Sequence, residues 1–366
     1  MDPYLSRCRR HLHQIPETDW HLPETLAFLR GELDPLPCTH FEPVPGALAA
    51  WFDRGREETV AFRADMDALP IREKTDRPYA SRHPGAMHAC GHDGHMAMAL
   101  ALAREAAARP DLPHNLLFLF QPAEETTGGA RPICETGLLE ARRVKAVYGF
   151  HLWPGMQVGE VATRPGPLLA QANEVTVRIQ GRSAHIARAA QGADALLAGA
   201  RFLVEADRLI TDRLSKEEPC LLKFGRMESG SARNAISGGS VILGSLRVFS
   251  EGMFRRAGEE LAAICRGLEK QTGCRFDLQI ADGYPPVTND QALTARAARL
   301  LPGLRLLDEP LLIGEDFSFY QRRCPGLFLL LGTGRETPLH ADTFDFDEEA
   351  LEAGVAAGAA LLFSGE

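Results

Sequence analysis

The sequence is poor in the features that mark membrane proteins, secreted proteins and nucleic-acid-binding proteins. None of its apolar runs approaches the ~20 residues that cross a bilayer, and the longest weakly polar stretch, AGVAAGAALLF, begins only at Ala353. The N-terminal residues become charged before an apolar segment can form, unlike a secretory signal. Basic residues are outnumbered, because 40 Lys and Arg face 49 Asp and Glu, for a formal charge of −9. We therefore expect a cytoplasmic protein that binds neither membranes nor nucleic acid.

Cysteine pairs and sequence repeats are also absent. The eight cysteines are scattered through 366 residues with no CxxC pair, and no period of about 20 to 50 residues recurs. A chain of this length buries a core without disulfides, so most of the cysteines are expected to be reduced. The composition, 45% hydrophobic and 24% charged, is that of a folded globular protein, and the length suggests two domains.

The order of helical and strand-like segments predicts an α/β fold with helices packed on a mixed sheet. Helical spacing over residues 4–33 is interrupted at Ile15 to Glu17. The apolar runs ALAAWF and TVAFRAD predict adjacent strands joined by a turn. A helix that stops at Pro110 and two further buried strands follow, and a strand and a last helix end the chain. Strands that alternate with helices indicate a layered α/β domain.

In residues 173–284 the predicted strands and helices follow one another in a different order from those in the rest of the chain. Their segments read strand, helix, strand, strand, helix, strand, which is the order of the ferredoxin-like unit. About 110 residues also suffice for a separate domain. The sequence therefore predicts a discontinuous first domain, residues 1–172 and 285–366, that carries an inserted α+β domain over residues 173–284.

The densest group of metal-binding side chains lies in the segment MHACGHDGHM. It contains three histidines, a cysteine and an aspartate: His88, Cys90, His92, Asp93 and His95. Cys90 and His92 are two residues apart, a spacing that in extended backbone directs both side chains to one side. A helix is predicted directly afterwards, so the cluster is expected in a strand-to-helix loop, where catalytic groups are common. The alternatives are a His-rich surface loop and an ordinary buried thiol at Cys90.

Further ligand candidates stand at the ends of other predicted strands. Glu124 and Glu125 follow LLFLFQPA, His151 ends an apolar run, and His340 follows LFLLLGTG. Strand ends of an open α/β sheet converge on one crevice, where one carboxylate can bind metal and its neighbour can hold the attacking water. The donors together exceed the three protein ligands of a single catalytic zinc, so two bridged metal ions are plausible.

Seven ordered motifs carry a resemblance to a known family. They are FRADMDALPI, MHACGHDGHMA, FQPAEE, GFHLWP, GRSAHIA, IGEDFSFY and PLHADTFDFDE. In this order they resemble the M20 peptidase family, in particular its amidohydrolase branch of hippurate hydrolases, indole-acetyl-amino-acid hydrolases and N-acetyldiaminopimelate deacetylases. The resemblance extends over almost the whole chain. It implies a dinuclear metallohydrolase domain with an inserted lid domain.

The resemblance also implies a ligand set. Cys90 matches a metal-bridging thiolate, and His92, Glu125, His151 and His340 match the remaining ligands. Two divalent metal ions are therefore expected as cofactors, with Zn²⁺ or Mn²⁺ favoured and Co²⁺ or Ni²⁺ compatible, because cysteine, histidine and carboxylate ligands suit all four.

Catalytic and substrate-binding roles follow from the same resemblance. Glu124 is expected to be the general base, and Asp65 to be a carboxylate that supports the active site, a task for which Asp67 is a weaker candidate. His185 of the lid is expected to reach the active site of the partner subunit in a homodimer. Asn234, in GSARNAI between the two central lid strands, matches a substrate-binding position.

The chain departs from many relatives near these lid residues. Ser183-Ala184 precedes His185 where Gly-Gly is common, and Ala189-Ala190 occupies a later position where Pro-His is common. Arg233 could pair with a substrate carboxylate, although a solvated surface arginine is the simpler interpretation. Substrate preference is therefore less well indicated than metal binding.

The preferred hypothesis is a metal-dependent amidohydrolase that cleaves N-acyl amino acids, such as N-acetyldiaminopimelate or hippurate, to a carboxylic acid and a free amino acid. One alternative is a thiol hydrolase with Cys90 as nucleophile, but such a mechanism has no use for the Glu124-Glu125 pair. Another is a non-catalytic metal-binding protein, although a closed structural site favours CxxC pairs. Loss of activity on chelation separates the first two hypotheses, and turnover separates both from the third.

Overall fold

The computed structural model describes residues 2–365. Its strands in chain order are β1 (Thr39–Phe41), β2 (Leu48–Phe52), β3 (Thr59–Asp65), β4 (Asn115–Gln121), β5 (Val144–Trp153), β6 (Val161–Thr163), β7 (Gly166–Leu169), β8 (Gln171–Gln180), β9 (Cys220–Ser229), β10 (Gly239–Val248), β11 (Arg275–Ile280), β12 (Val287–Asn289), β13 (Arg305–Leu306) and β14 (Gly326–Gly332).

The α-helices in the same numbering are α1 (Pro3–Gln14), α2 (Pro23–Leu33), α3 (His92–Ala107), α4 (Ala130–Glu135), α5 (Leu138–Ala141), α6 (Ala195–Asp212), α7 (Glu251–Thr272), α8 (Gln291–Leu300), α9 (Ser318–Gln321) and α10 (Glu349–Phe363). Two 3₁₀ segments cover Ile186–Gln191 and Leu214–Lys216. The break between α1 and α2 falls at the predicted position. The predicted α/β fold class is confirmed.

A large mixed sheet forms the centre of the first part of the chain. Its strand order is β1-β2-β4-β3-β5-β14-β6-β13, and the four strands β4, β3, β5 and β14 run parallel. The prediction that β2 and β3 are adjacent was wrong, because β4 lies between them and pairs antiparallel with β2 and parallel with β3. Two apolar strands close in sequence do not have to pair, since each can bury its faces better beside a third.

The central strands and one helix are buried on almost every side. Strands β3, β4 and β14 are buried at each position, which explains their continuous apolar character. Helix α3 packs between α1 and α10 and against β3, and most of its residues are buried. The start of α3 is thereby held rigidly at the edge of the core, and this start carries part of the metal-binding segment.

The helix α3 begins earlier than the sequence predicts. Its first residue is His92, so Asp93 and His95 lie in the first turns of the helix and only the preceding residues form a loop. The local reason is Gly91, which precedes the helix with a φ of 87°, a conformation that glycine adopts readily. The prediction that the whole cluster occupies a loop was therefore wrong.

A second sheet is antiparallel, with the order β11-β8-β10-β9. Helices α6 and α7 cover it, and along β8 the residues alternate between buried and exposed. Asp194 caps the start of α6 and Ser250 caps α7 through side-chain acceptance of backbone N–H groups. The strand and helix order is that of the predicted ferredoxin-like unit. Asn234 lies between β9 and β10, the second and third strands of this unit along the chain, as predicted. In the sheet itself, β9 is an edge strand.

The chain separates into two compact units. One contains residues up to Leu168, Val287–Pro310 and the residues from Asp316 onward, and the other contains Leu169–Pro286 and Leu311–Glu315. The domain limits given from the sequence and the role of the second unit as a lid stay predictions. Among residues 2–365, no helix is both long enough and apolar enough to span a bilayer.

Candidate metal centre

The segment around Cys90 packs tightly against strand β5. A Cβ atom on Gly91 would lie 2.8 Å from Cδ1 of Leu152, and one on Gly94 would lie equally close to it. The two glycines therefore allow the backbone to approach the strand closely. As a result, the Cys90 Sγ lies 3.3 Å from the Nε2 of His151, which β5 carries.

His92 offers a buried nitrogen that no hydrogen bond occupies. Its Nδ1 lies 2.7 Å from the carbonyl oxygen of Asp67, so Nδ1 carries the proton and donates it, because a carbonyl can only accept. The Nε2 lone pair is then free, and among residues 2–365 this buried atom has no hydrogen-bond partner. An orphaned buried acceptor of this kind is costly in a core and fits a metal ligand.

His151 is oriented in the same way. Its Nδ1 donates to the carbonyl oxygen of Leu152 at 2.7 Å, which leaves the Nε2 lone pair directed towards Cys90. Burial, and to a lesser extent the neighbouring His95, lower the pKa of His151 to about 3. The ring is therefore neutral, which is the form that binds metal.

Glu124 and Glu125 follow strand β4 in a turn that Asp67 holds. The Asp67 carboxylate accepts the backbone N–H of Glu124 at 2.9 Å and that of Glu125 at 3.1 Å. Ala123, directly before the pair, has a φ of 57°, which is uncommon for a residue with a Cβ. Asp67, a weaker candidate than Asp65 for a supporting carboxylate, makes two direct contacts to this turn.

His340 completes the group from the last third of the chain. Its Nε2 lies 3.2 Å from Glu125 Oε1, and its backbone N–H donates to the carbonyl oxygen of Ala89 at 2.8 Å. The residue has a φ of 64° and a half-exposed side chain. The bond to Ala89 brings the His340 loop directly onto the segment that carries Cys90.

The donor atoms form overlapping groups. Cys90, His92 and His151 form one group, and Cys90, Glu125 and His340 form another; within each group the ligand atoms lie within 4.8 Å of one another. Cys90 belongs to both groups. Thiolate, imidazole and carboxylate suit zinc and related divalent ions, so these residues could hold two such ions, with Cys90 within reach of both groups.

The pKa of the Cys90 thiol indicates whether this residue is suited to be a metal ligand or a nucleophile. Burial raises the pKa of the thiol well above its ordinary value, and the carboxylates of Glu125 and Glu124 raise it further. A nucleophilic cysteine requires a lowered pKa, so this environment disfavours the thiol hydrolase. A cation next to the sulfur would favour the thiolate instead.

Asp65 supports the site from inside the core. Its carboxylate binds Arg63 at 2.5 Å and His95 at 2.6 Å, and lies 3.7 Å from the Nε2 of His92. Burial alone would raise the pKa of Asp65, but His92, Arg63 and His95 together hold it well below the usual value. The carboxylate is therefore ionised. Its surroundings fit the supporting role that the sequence predicts.

Other members of the metal-binding segment have different surroundings. The Asp93 carboxylate binds Arg9 at 2.9 Å and His13 at 2.8 Å through one oxygen. Both ring nitrogens of His95 already have hydrogen-bond partners. His88 is buried with neither nitrogen bonded to residues 2–365, and burial lowers its pKa to about 3. Of the three histidines in the segment, His92 is the one whose free lone pair meets the other donors.

His185 and Asn234 lie in adjacent loops of the second unit. The backbone of His185 pairs with Ala235, and the N–H of Ile186 donates to the carbonyl oxygen of Asn234 at 3.0 Å. Both side chains are exposed. The structure thus brings these two residues close to each other, and their part in substrate binding stays a prediction.

Similarity to known proteins identifies the family. The profile of peptidase family M20/M25/M40 matches residues 61–364. The chain belongs to this family. The resemblance inferred from the seven motifs is confirmed, and as an M20 member the protein is a metal-binding hydrolase.

Individual relatives match this M20 protein over nearly its full length. It is 34% identical over 363 residues to an N-acetyldiaminopimelate deacetylase of Limosilactobacillus fermentum, a match that covers 96% of this chain and 94% of that protein. A solved structure from methicillin-resistant Staphylococcus aureus, provisionally described as an aminohydrolase, is 30% identical with a TM-score of 0.92 and covers 99% of this chain and 96% of that one. A dinuclear metal-binding M20 peptidase from Bacillus subtilis is 28% identical with a TM-score of 0.86, and covers 98% of this chain and 96% of that one.

Buried polar residues behind the proposed metal ligands were not predicted from the sequence. Arg63 and Asp316 are joined by a 2.8 Å ion pair with almost no solvent exposure, and Gln121 binds the same aspartate. A signal was present, because Arg63 interrupts the apolar strand TVAFRAD and Asp316 belongs to the motif IGEDFSFY, to which no role was given. A charged residue in a strand that is otherwise apolar indicates a buried partner.

Proposed function

We propose that this protein is a metal-dependent amidohydrolase that cleaves the amide bond of N-acyl amino acids. One observation carries the proposal: two groups of metal-ligating atoms share Cys90, and the Glu124 carboxylate, together with His92 and Glu125, forms a third group beside them. A site with two ion positions and a separate carboxylate is suited to hydrolysis of an unactivated amide.

Two divalent metal ions, either Zn²⁺ or Mn²⁺ by preference, would be held by Cys90, His92, Glu125, His151 and His340. Divalent ions bound there would supply Lewis acidity, which lowers the pKa of a water molecule and polarises a carbonyl group. The tautomers of His92 and His151 support this assignment, because both rings donate through Nδ1 and keep the Nε2 lone pair available.

Glu124 is the proposed general base. It is largely buried, and its backbone is fixed by the bond from its N–H to Asp67. Glu124 would take a proton from the attacking water and deliver it to the nitrogen of the leaving amino acid, so that one carboxylate serves both halves of the reaction. Asp65 would keep the ligand shell in place through its contacts with His95 and Arg63.

N-acetyldiaminopimelate is the first substrate to test. The deacetylase of that name from Limosilactobacillus fermentum supports it, because the match extends over almost the entire length of both proteins. Hippurate and other N-acyl amino acids are the next candidates. The residues around His185, which differ from those common in relatives, are expected to contact the substrate. The preferences for the acyl group and for the amino acid therefore both have to be determined by experiment.

A substrate panel tests the proposed function. We expect the metal-loaded protein to hydrolyse N-acetyldiaminopimelate, hippurate or simple N-acetyl amino acids, with release of the free amino acid measured by an amine-reactive dye. Activity should disappear after chelation and return when Zn²⁺ or Mn²⁺ is added. Activity that persists after chelation but is lost with a thiol reagent would make Cys90 the nucleophile and overturn the proposal. A metal-loaded protein that hydrolyses none of these substrates would overturn it as well.

Dimer formation through the second unit is a further part of the proposal. Helix α6 exposes about half of the side chains of Leu196, Leu197 and Val204, and β9 is an edge strand. Exposed apolar side chains next to an open sheet edge favour association with a second copy. His185 would then reach the active site of the partner.

Replacement of Leu197 by Glu should weaken this dimer. A charge at the centre of an apolar contact must be desolvated without a partner, so light scattering should report a shift from the dimer towards the monomer mass of 40.0 kDa. Arg266→Glu, on the exposed side of α7, serves as the control and should not change the mass. A wild-type protein that is monomeric at micromolar concentration would contradict the prediction.

A further inference from the structure

A chain of buried hydrogen bonds crosses the core behind the proposed metal ligands. Asp316 Oδ1 accepts from Nη2 of Arg63 at 2.8 Å, and Nη1 of Arg63 donates to Asp65 Oδ2 at 2.5 Å. Asp65 Oδ1 then lies 2.6 Å from Nδ1 of His95. The backbone N–H of Leu152 donates to the other ring nitrogen of His95, Nε2, at 2.9 Å. The chain thus runs from the motif IGEDFSFY to strand β5.

The bond from Leu152 determines the tautomer of His95. A backbone N–H always donates, so Nε2 of His95 accepts and carries no proton. The proton therefore lies on Nδ1 and is donated to the Asp65 carboxylate. Both nitrogens are then occupied, and His95 cannot bind a metal ion in this arrangement although it belongs to the same ten-residue segment as Cys90 and His92.

His95 stands between two proposed ligands that come from different elements. Its ring centroid is 5.4 Å from that of His92 on α3 and 5.1 Å from that of His151 on β5. Through Leu152 it holds the residue whose carbonyl oxygen fixes the ring of His151. Through Asp65 it holds the carboxylate that lies 3.7 Å from His92 Nε2.

We propose that His95 is a positioning residue, which sets His92 and His151 relative to each other through its two hydrogen bonds. This inference rests on the proposed function, since it assigns a task towards the metal ligands. Hydrogen bonds made directly to metal ligands change metal affinity about 10- to 100-fold when lost. His95 acts one step further out, through Asp65 and Leu152, so the lower end of that range is expected. In this assignment His95 is not itself a ligand, because both of its ring nitrogens are engaged in hydrogen bonds.

His88 shows that burial in this segment does not by itself produce such contacts. It lies seven residues before His95, is equally buried, and has no hydrogen bond from either ring nitrogen to residues 2–365. The two bonds of His95 are therefore a specific arrangement and not a general property of histidines packed in the segment.

The test measures the affinity for Zn²⁺ alone, by competition with a chromogenic chelator. We expect His95→Leu, which loses both bonds, to raise the Zn²⁺ dissociation constant about 10-fold, the lower end of the range for lost supporting bonds. In His95→Asn the amide stands near the position of Nδ1 and can keep the bond to Asp65, whereas in His95→Gln it stands near Nε2 and can keep the bond to Leu152. Both should fall between wild type and His95→Leu. In turnover assays kcat should fall while KM changes little.

His114→Leu is the matched control. His114 is a buried histidine whose Nε2 bonds the carbonyl oxygen of Leu362 at 2.6 Å, and its loss should leave the dissociation constant unchanged. Equal affinities in wild type and the His95 variants would overturn the inference, as would an equal loss in His114→Leu. If His95→Leu does not fold, the Asn and Gln variants decide. A wild type that binds Zn²⁺ but hydrolyses no substrate would contradict the proposed function, and the affinity comparison would still test His95.

Discussion

Glu124→Gln should lower kcat for amide hydrolysis by a factor of about 10² to 10⁴ while the protein still binds metal. Glutamine has nearly the same shape as glutamate but cannot accept a proton, so the attacking water and the leaving amine lose their proton carrier. The backbone contact to Asp67 does not involve the side chain, so the turn should be kept. Stopped-time assays at saturating substrate, together with metal analysis of the purified variant, measure both quantities.

The neighbouring residue provides the contrast. Glu125→Gln should weaken metal binding, because Glu125 Oε1 lies among the donor atoms beside His340. Added metal should partly restore the activity of Glu125→Gln but not that of Glu124→Gln. If the two variants behave the other way round, the roles of the two carboxylates are exchanged. If Glu124→Gln keeps full activity, another group is the base.

Arg9→Met should destabilise the protein by about 3–5 kcal/mol, as expected when one partner of a buried ion network is removed. The Arg9 guanidinium is almost fully buried and binds Asp93 at 2.9 Å, Asp345 at 2.7 Å and Glu348 at 3.4 Å. Tyr79 and Phe346 cover it, at 4.7 and 4.4 Å from the ring centroids. Methionine fills much of the volume but leaves buried carboxylates without their shared cation. Urea unfolding of wild type and variant measures the difference in the free energy of unfolding.

The same substitution has a defined pH dependence. Burial would raise the pKa of Asp93, but Arg9 and His13 hold it far below its usual value. A carboxyl group with a lowered folded-state pKa stabilises the protein above its unfolded pKa of about 4, and this contribution is lost as the pH falls further. The difference in the free energy of unfolding between wild type and Arg9→Met should therefore be largest near neutral pH and should decrease below about pH 4.

Arg7→Met is the control for the Arg9 experiment. Arg7 is on the same helix, pairs with Glu32 at 2.8 Å, and has about half of its side chain exposed. Surface ion pairs contribute about 0–1 kcal/mol, so its loss should change the unfolding free energy little. A small effect at Arg9, similar to that at Arg7, would show that its network is not a source of stability.

The sequence allowed much of the fold to be predicted because periodicity reports local burial. The helical spacing of α6 and α7, the alternation along β8 and the continuous apolar character of β4 and β14 all appear in short windows. The order of strands in the sheet does not appear in short windows of the sequence, and the predicted pairing of β2 with β3 was wrong. Strand order depends on which faces meet in three dimensions, and a local pattern carries no information about that choice.

The candidate site was also only partly predictable from the sequence. The residue types brought together there were evident from the sequence, since Cys90, His92 and the Glu124-Glu125 pair stand in unusual local groups. The start of α3 at His92 was missed, because the signal lies in the positive φ of Gly91 and its close contact with Leu152. A contact between residues 61 positions apart does not appear in a window of the sequence.

By itself the sequence determined the chemistry available to this protein: a thiol, imidazoles and carboxylates in an α/β chain with an inserted α+β unit. Only the tertiary structure decided what each group can do with it. His92 and His95 lie three residues apart on one helix, yet only His92 keeps a free lone pair. The Nδ1–H of His92 donates to the carbonyl oxygen of Asp67, which leaves Nε2 free, whereas the Nε2 of His95 accepts the N–H of Leu152. The ability to bind a metal depends on which lone pair remains after hydrogen bonding, and those partners come from distant parts of the chain.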